Sequence, residues 1–191
     1  MAPGVGHLTR RSIAVMVLGV ALGAAALVVA PLGAQELSIA AFFGHWKGSG
    51  ISESELSVYF RLTARDLDVV IRPEGAGFNV AWTTVQRQKG DPDNPDVVRK
   101  SSSLSFIPSG RPGIWRATTS ADPLTGGTLA WARVKGHTLT VNSLVIDDGG
   151  GHEMQIYKRT LSDLGMALEF TRLKEGEPVR TAKGRLIKLA D

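Results

Sequence analysis

Apolar and polar residues alternate with a period near two through most of the chain. Leu56, Val58, Phe60 and Leu62 alternate with Ser57, Tyr59 and Arg61, and Leu67, Val69 and Ile71 with Asp68, Val70 and Arg72. Phe78, Val80 and Trp82 then alternate with Asn79, Ala81 and Thr83. Successive side chains of a strand point to opposite faces, so this period predicts strands with one buried face. Pro73-Glu74-Gly75-Ala76-Gly77 separates the last two runs. Proline presets φ there and glycine tolerates positive φ, which makes the pair a β-hairpin.

The pattern continues to the carboxyl end. Strands are predicted around Leu104 and Phe106, over Ile114–Thr119 and Leu129–Val134, and again where Leu139, Val141, Ser143 and Val145 share one face. Met154 and Ile156 face one way, with Glu153, Gln155, Tyr157 and Arg159 opposite. Met166, Leu168 and Phe170 mark the next strand, and the last ends near Leu189. Clusters of Gly, Pro and Asp separate these runs, the strongest being the loop Lys89–Asp96. Leu37–Phe43 admits one or two helical turns, and no later segment carries a long helical period.

About ten short strands with tight connections favour antiparallel neighbours. A ten-stranded meander has two open edges unless it closes, and closure removes their aggregation hazard. The expected fold is therefore all-β, an up-and-down antiparallel barrel of about ten strands. A two-sheet sandwich is the alternative.

Composition and charge refine this picture. The chain has 191 residues, enough for one domain with a real core, and no cysteine, so neither disulfides nor thiolate chemistry hold or serve it. Residues before 35 have a different character. Arg10-Arg11 precedes an uncharged run, Ile13 to Ala30, and then Pro31-Leu32-Gly33-Ala34. That is the order of a secretory signal, so residues 1–34 are expected to be a signal peptide cut after Ala34, with 35–191 as the single barrel domain. The alternative is an uncleaved anchor over residues 12–34. Either way the domain is expected outside the cytoplasm, periplasmic or secreted. Thr9-Arg10-Arg11-Ser12-Ile13-Ala14 also resembles the twin-arginine export motif. With Arg10 and Arg11 set aside, 20 basic residues face 18 acidic ones, a balance that gives no footprint for nucleic acid.

Gly44-x-Trp46, following a short apolar turn, resembles the start of lipocalin-like (calycin) barrels. The longer Gly44-x-Trp46-x-Gly48-x-Gly50 is similar to the start of nitrobindin-type ten-stranded haem barrels. The resemblance implies that Trp46 plugs one end and that a basic residue of a late strand, Arg185, packs on its ring. A nitrobindin-like barrel would ligate haem iron through a histidine near the carboxyl end. None follows His152 here, so haem is not carried over and the cofactor is unknown. In texture the chain also resembles small exported proteobacterial proteins of unknown function, in segments such as Trp131-Ala132-Arg133 and Met154-Gln155-Ile156-Tyr157.

Catalytic patterns are missing. There is no Gly-x-Ser-x-Gly elbow, and Gly75-Ala76-Gly77 precedes a strand rather than the helix of a dinucleotide fold. His45, His137 and His152 have no metal-ligand spacing. Asp91, Asp93, Asn94 and Asp96 lack the register of a calcium loop. The polar set Arg133, Glu153, Gln155, Tyr157, Arg159, Glu169 and Arg172 reads either as solvated strand faces or as the lining of a polar pocket. Glu169 and Arg172 differ by an odd number, so one regular strand cannot aim both inward. Trp46, Trp82, Trp115 and Trp131 read either as core or as cavity wall.

The leading expectation is a non-enzymatic barrel that binds a small apolar or amphipathic molecule, with Trp82, Trp131, Arg133, Glu153, Tyr157 and Arg159 as ligand-binding candidates. Gly44, Trp46 and Arg185 are expected to be structural, and no metal is expected. The alternatives are an envelope module that binds a protein partner, and a barrel-type enzyme with a polar pocket.

Overall fold

The computed structural model describes residues 36–57, 61–87 and 97–190. The signal segment 1–34, the alternation at Val58–Phe60 and the loop Lys89–Asp96 lie outside them. After a 3-10 turn at Ile39–Phe42 come ten strands. They are β1 (Gly44–Ser54), β2 (Leu62–Glu74), β3 (Gly77–Arg87), β4 (Val97–Pro108) and β5 (Ile114–Ala117), then β6 (Leu129–Lys135), β7 (Thr138–Ile146), β8 (His152–Ser162), β9 (Gly165–Lys174) and β10 (Glu177–Lys188). Each pairs antiparallel with its chain neighbours, and β1 pairs with β10, so the sheet is a closed up-and-down barrel. Part of the expected first alternation is replaced: Leu56 sits in the β1–β2 turn and Leu62 opens β2 with an exposed side chain.

Closure depends on the β1–β10 seam, where Trp46 lies opposite Lys188 and Ser54 opposite Arg180. The strands approach so closely that a Cβ on Gly48 would sit 1.9 Å from the Arg185 carbonyl oxygen, and one on Gly184 would meet Leu67 Cδ1 at 2.4 Å. A strand bends sharply at a barrel corner only where side chains are missing. The Gly-x-Gly repeat after Trp46 thus has a steric cause, apart from any ligand.

The core fills one half of the barrel. Phe78 and Phe106 stack at 5.0 Å, Trp115 meets Phe78 edge-on, and Ile71, Leu139, Met166 and Leu186 are buried around them. The 3-10 turn closes this end: Phe42 is fully buried, and the Trp46 indole Nε1 donates to the Phe42 carbonyl at 3.0 Å. Inward positions follow one parity from strand to strand. They run Leu67-Val69-Ile71, Phe78-Val80-Trp82, Ala130-Ala132-Val134 and Met166-Leu168-Phe170.

Gly48→Ala is expected to destabilise the protein by about 3 kcal/mol, the upper end for overpacking, because the added methyl meets backbone rather than a movable side chain. Urea unfolding of wild type and variant measures this; a loss under about 1 kcal/mol would show that the seam tolerates a side chain.

Candidate functional site

Beyond Trp82 and Tyr157 the inward residues change from apolar to basic. Arg65 continues the inward parity of Leu67 and Val69 on β2, and Lys100 that of Leu104 and Phe106 on β4. Arg172 extends Leu168 and Phe170 on β9, and Arg180 extends Ala182 and Leu186 on β10. These four strand ends gather at the barrel end opposite the Phe42 plug. They surround a cavity of about 270 Å³ with an apolar wall that includes Val69, Trp82, Leu168 and Phe170. Lys100 and Ser102 are exposed, which places the mouth beside β4.

Arg159 of β8 forms part of the floor. It is fully buried, and its Nε, Nη1 and Nη2 all lack a hydrogen-bond partner among the described residues. Its guanidinium carbon lies 5.6 Å from the Trp82 ring and 5.5 Å from that of Tyr157. The rings themselves are 5.1 Å apart, and Tyr157 continues to Phe170 at 4.6 Å. A cation over desolvated aromatic faces gains about 2 kcal/mol, which offsets only part of a guanidinium's desolvation cost. Burial pulls the Arg159 pKa down to about 10, so the side chain stays charged at neutral pH.

A polar chain runs from the floor toward the mouth. The Tyr157 hydroxyl donates to Gln155 at 3.4 Å, Gln155 Nε2 donates to Glu153 at 3.0 Å, and Arg172 Nη2 donates to the other Glu153 oxygen. The hydrogen bond from Arg172 holds the Glu153 carboxyl below its usual range, while burial raises the Tyr157 phenol. Arg65 is lowered by burial and then by the neighbouring charge of Arg180. Nε of Arg65, of Arg172 and of Arg180 is buried without a hydrogen-bond partner among the described residues.

The predicted site residues therefore divide. Trp82, Tyr157 and Arg159 line the cavity, and Glu153 joins it through Arg172 and Gln155. Trp131 and Arg133 do not join it: on β6 the inward positions are Ala130, Ala132 and Val134, so both side chains face outward. Glu169 is exposed while Arg172 lines the cavity. Gly44 holds φ +137° as the first residue of β1, and Trp46 is buried at the closed end. The cation over Trp46 is Lys188, with Nζ 5.7 Å from the ring; Arg185 is exposed because Leu186 takes the inward position beside it. His45 lies 2.8 Å from Asp68 and His152 3.7 Å from Glu175, both outside the cavity wall.

Sequence reasoning missed Arg65, Lys100 and Arg180. Their signal was parity: each sits in step with an apolar run and beyond its end, on strands whose ends the topology gathers.

Fold and site define a closed antiparallel barrel with a basic, aromatic-walled cavity at one end. No protein-family model and no curated protein matches the sequence. Among solved structures it is similar to Rv2717c from M. tuberculosis, with 12% identity, TM-score 0.46 and coverage of 78% of this chain and 92% of that one. It is also similar to a protein of unknown function from the DUF3598 family of Nostoc punctiforme, with 10% identity, TM-score 0.42 and coverage of 81% and 50%. The S-type phycobiliprotein lyase CPES from Guillardia theta shows 11% identity, TM-score 0.38 and coverage of 81% and 94%. These three scores lie below 0.5, and the assignment of the barrel rests on its own strand pairing.

Arg159→Met should stabilise the ligand-free protein by about 1–4 kcal/mol, because an unpaired buried charge gives way to a methionine that fits the aromatic floor. Burial holds the folded pKa at about 10, below its value in the unfolded chain, so the wild type's cost is fully present below pH 10 and is relieved as pH rises above it. The stability gap should then be constant near neutrality and narrow above pH 10. Urea unfolding at both pH values measures it, and a variant less stable than wild type would contradict the placement of Arg159.

Proposed function

We propose that this is an exported, periplasmic or secreted binding protein that holds a small amphipathic molecule inside its barrel. The observation that carries the reading is the half-filled interior. One half is packed by aromatic and aliphatic side chains, and the other is a cavity of about 270 Å³ with an apolar wall and polar groups converging on it. Ligand sites combine these features, and the volume lies near the lower end of their range, about 300–1,000 Å³. The cavity wall carries donors but, among the described residues, no histidine and no carboxylate. Such a set orients and holds a ligand without a nucleophile–base pair, which favours binding over turnover. Export is supported by Arg10-Arg11 and the uncharged run that follows. Contact with a membrane is confined in this reading to residues 12–34, if they are retained.

One observation favours a second reading, a module that docks an envelope protein. β4 pairs with β3 from Val97 to Phe106 but with β5 only from Phe106 to Pro108. Along most of its length it presents one edge without a strand partner among the described residues, and such edges accept an added strand.

Saturable binding of N-phenyl-1-naphthylamine at one site per chain, followed by its fluorescence, tests the first reading. Ser102→Trp, which places an indole in the mouth, should weaken that binding about tenfold or more, since a filled pocket loses the probe's apolar burial. Trp131→Phe on the outer face should leave it unchanged. Failure of the probe to saturate, or equal binding by Ser102→Trp, would refute the cavity as a ligand site.

A further inference from the structure

The charge inside the barrel is unbalanced. Arg65, Lys100, Arg159, Arg172 and Arg180 line one cavity, and the carboxylate joined to its lining, Glu153, is already engaged by Arg172 and Gln155. Arg65 has a like charge for a neighbour: burial and then the charge of Arg180 lower its pKa. A buried charge ordinarily has a partner of opposite sign, because its lost hydration must be replaced. Here the fully buried cation, Arg159, has none among the described residues. All three Arg159 nitrogens are shut off from solvent and unbonded, and the side chain faces the cavity.

Resting on the ligand-binding reading above, we propose that the ligand is an organic anion whose carboxylate or phosphate enters first and is held by Arg159. Its apolar body lies against Trp82, Tyr157 and Phe170, and Arg65 and Arg180 close over the tail end of the site. The planar fork of a guanidinium matches both oxyanions, which it binds through paired N–H donors. Neither group can be replaced by an alcohol, which brings no charge to the floor, or by an amine, which brings a further positive one. The position of Arg159 also sets the order of contacts. The other basic groups stand nearer the mouth and steer the anion inward, whereas among the described residues only Arg159 combines complete burial with complete lack of hydrogen-bond partners. Arg172 is held in reserve by Glu153; neutralising that carboxyl releases a further cation to the cavity.

Calorimetric titration of the full 191-residue chain with octanoate, octyl phosphate and octanol tests the proposal, because the three share a tail and differ in the head. At least one of the two anions should bind about tenfold or more tightly than octanol, the scale of one charge-assisted hydrogen-bonded pair. The better anion identifies the head group. Arg159→Met, expected to fold at least as stably as wild type, should bring both anions down to the affinity of octanol and leave octanol unchanged. Glu153→Gln should tighten anion binding about threefold or more by freeing Arg172, again with octanol unchanged. Equal binding of octanol and both anions by wild type would overturn the anion while leaving the cavity reading intact. So would an anion preference that survives in Arg159→Met, or a loss of anion affinity in Glu153→Gln. If none of the three compounds binds, the cavity reading falls and the anion with it.

Discussion

A sheet of ten strands closes into a ring only if its first and last strands meet in one register, and every inward side chain of this protein follows from that meeting. Trp46 opposite Lys188 and Ser54 opposite Arg180 define the seam. Gly48 and Gly184 let the two backbones come within a distance that any side chain would obstruct. Because side chains alternate strictly, a slip of one residue at the seam would exchange the inner and outer faces of the strand concerned. The packed half, the cavity and the buried cation are therefore products of one constraint.

Within the ring the two ends are built to different rules. At the closed end, Phe42, Trp46 and the Phe78–Phe106 stack behave as ordinary core and supply stability by burial. At the other end, the same inward parity delivers arginines and a lysine. The aromatic layer of Trp82, Tyr157 and Phe170 lies between the two and touches both. Arg159 sits at that boundary, supported by ring faces but unsatisfied in its donors. Such a group lowers stability where it stands, and cost of this kind is commonly found where a site is preorganised for a ligand.

Much of the fold was legible because alternation, turn residues and the count of strands all agreed on a closed meander. Gly44-x-Trp46 marked the plug. The site was harder to read for a physical reason. On β8, Met154 and Ile156 are apolar and Glu153, Gln155, Tyr157 and Arg159 largely polar, so a rule that sends apolar residues inward inverts the strand. The structure sends the polar set inward because the space there is a cavity rather than a core. Trp131 and Arg133, ligand-binding candidates from the tryptophan and polar sets, are turned outward by β6, where Ala130, Ala132 and Val134 hold the inward positions. Arg185 was assigned to the Trp46 ring from a resemblance, and parity on β10 gives that place to Lys188.

The most direct test of the whole account is a crystal structure of the protein soaked with whichever of octanoate and octyl phosphate binds more tightly. The anionic head group should lie within hydrogen-bond distance of the Arg159 guanidinium, with the alkyl chain against Trp82 and Phe170. A cavity holding only ordered water, or an Arg159 side chain turned out of the barrel, would contradict it.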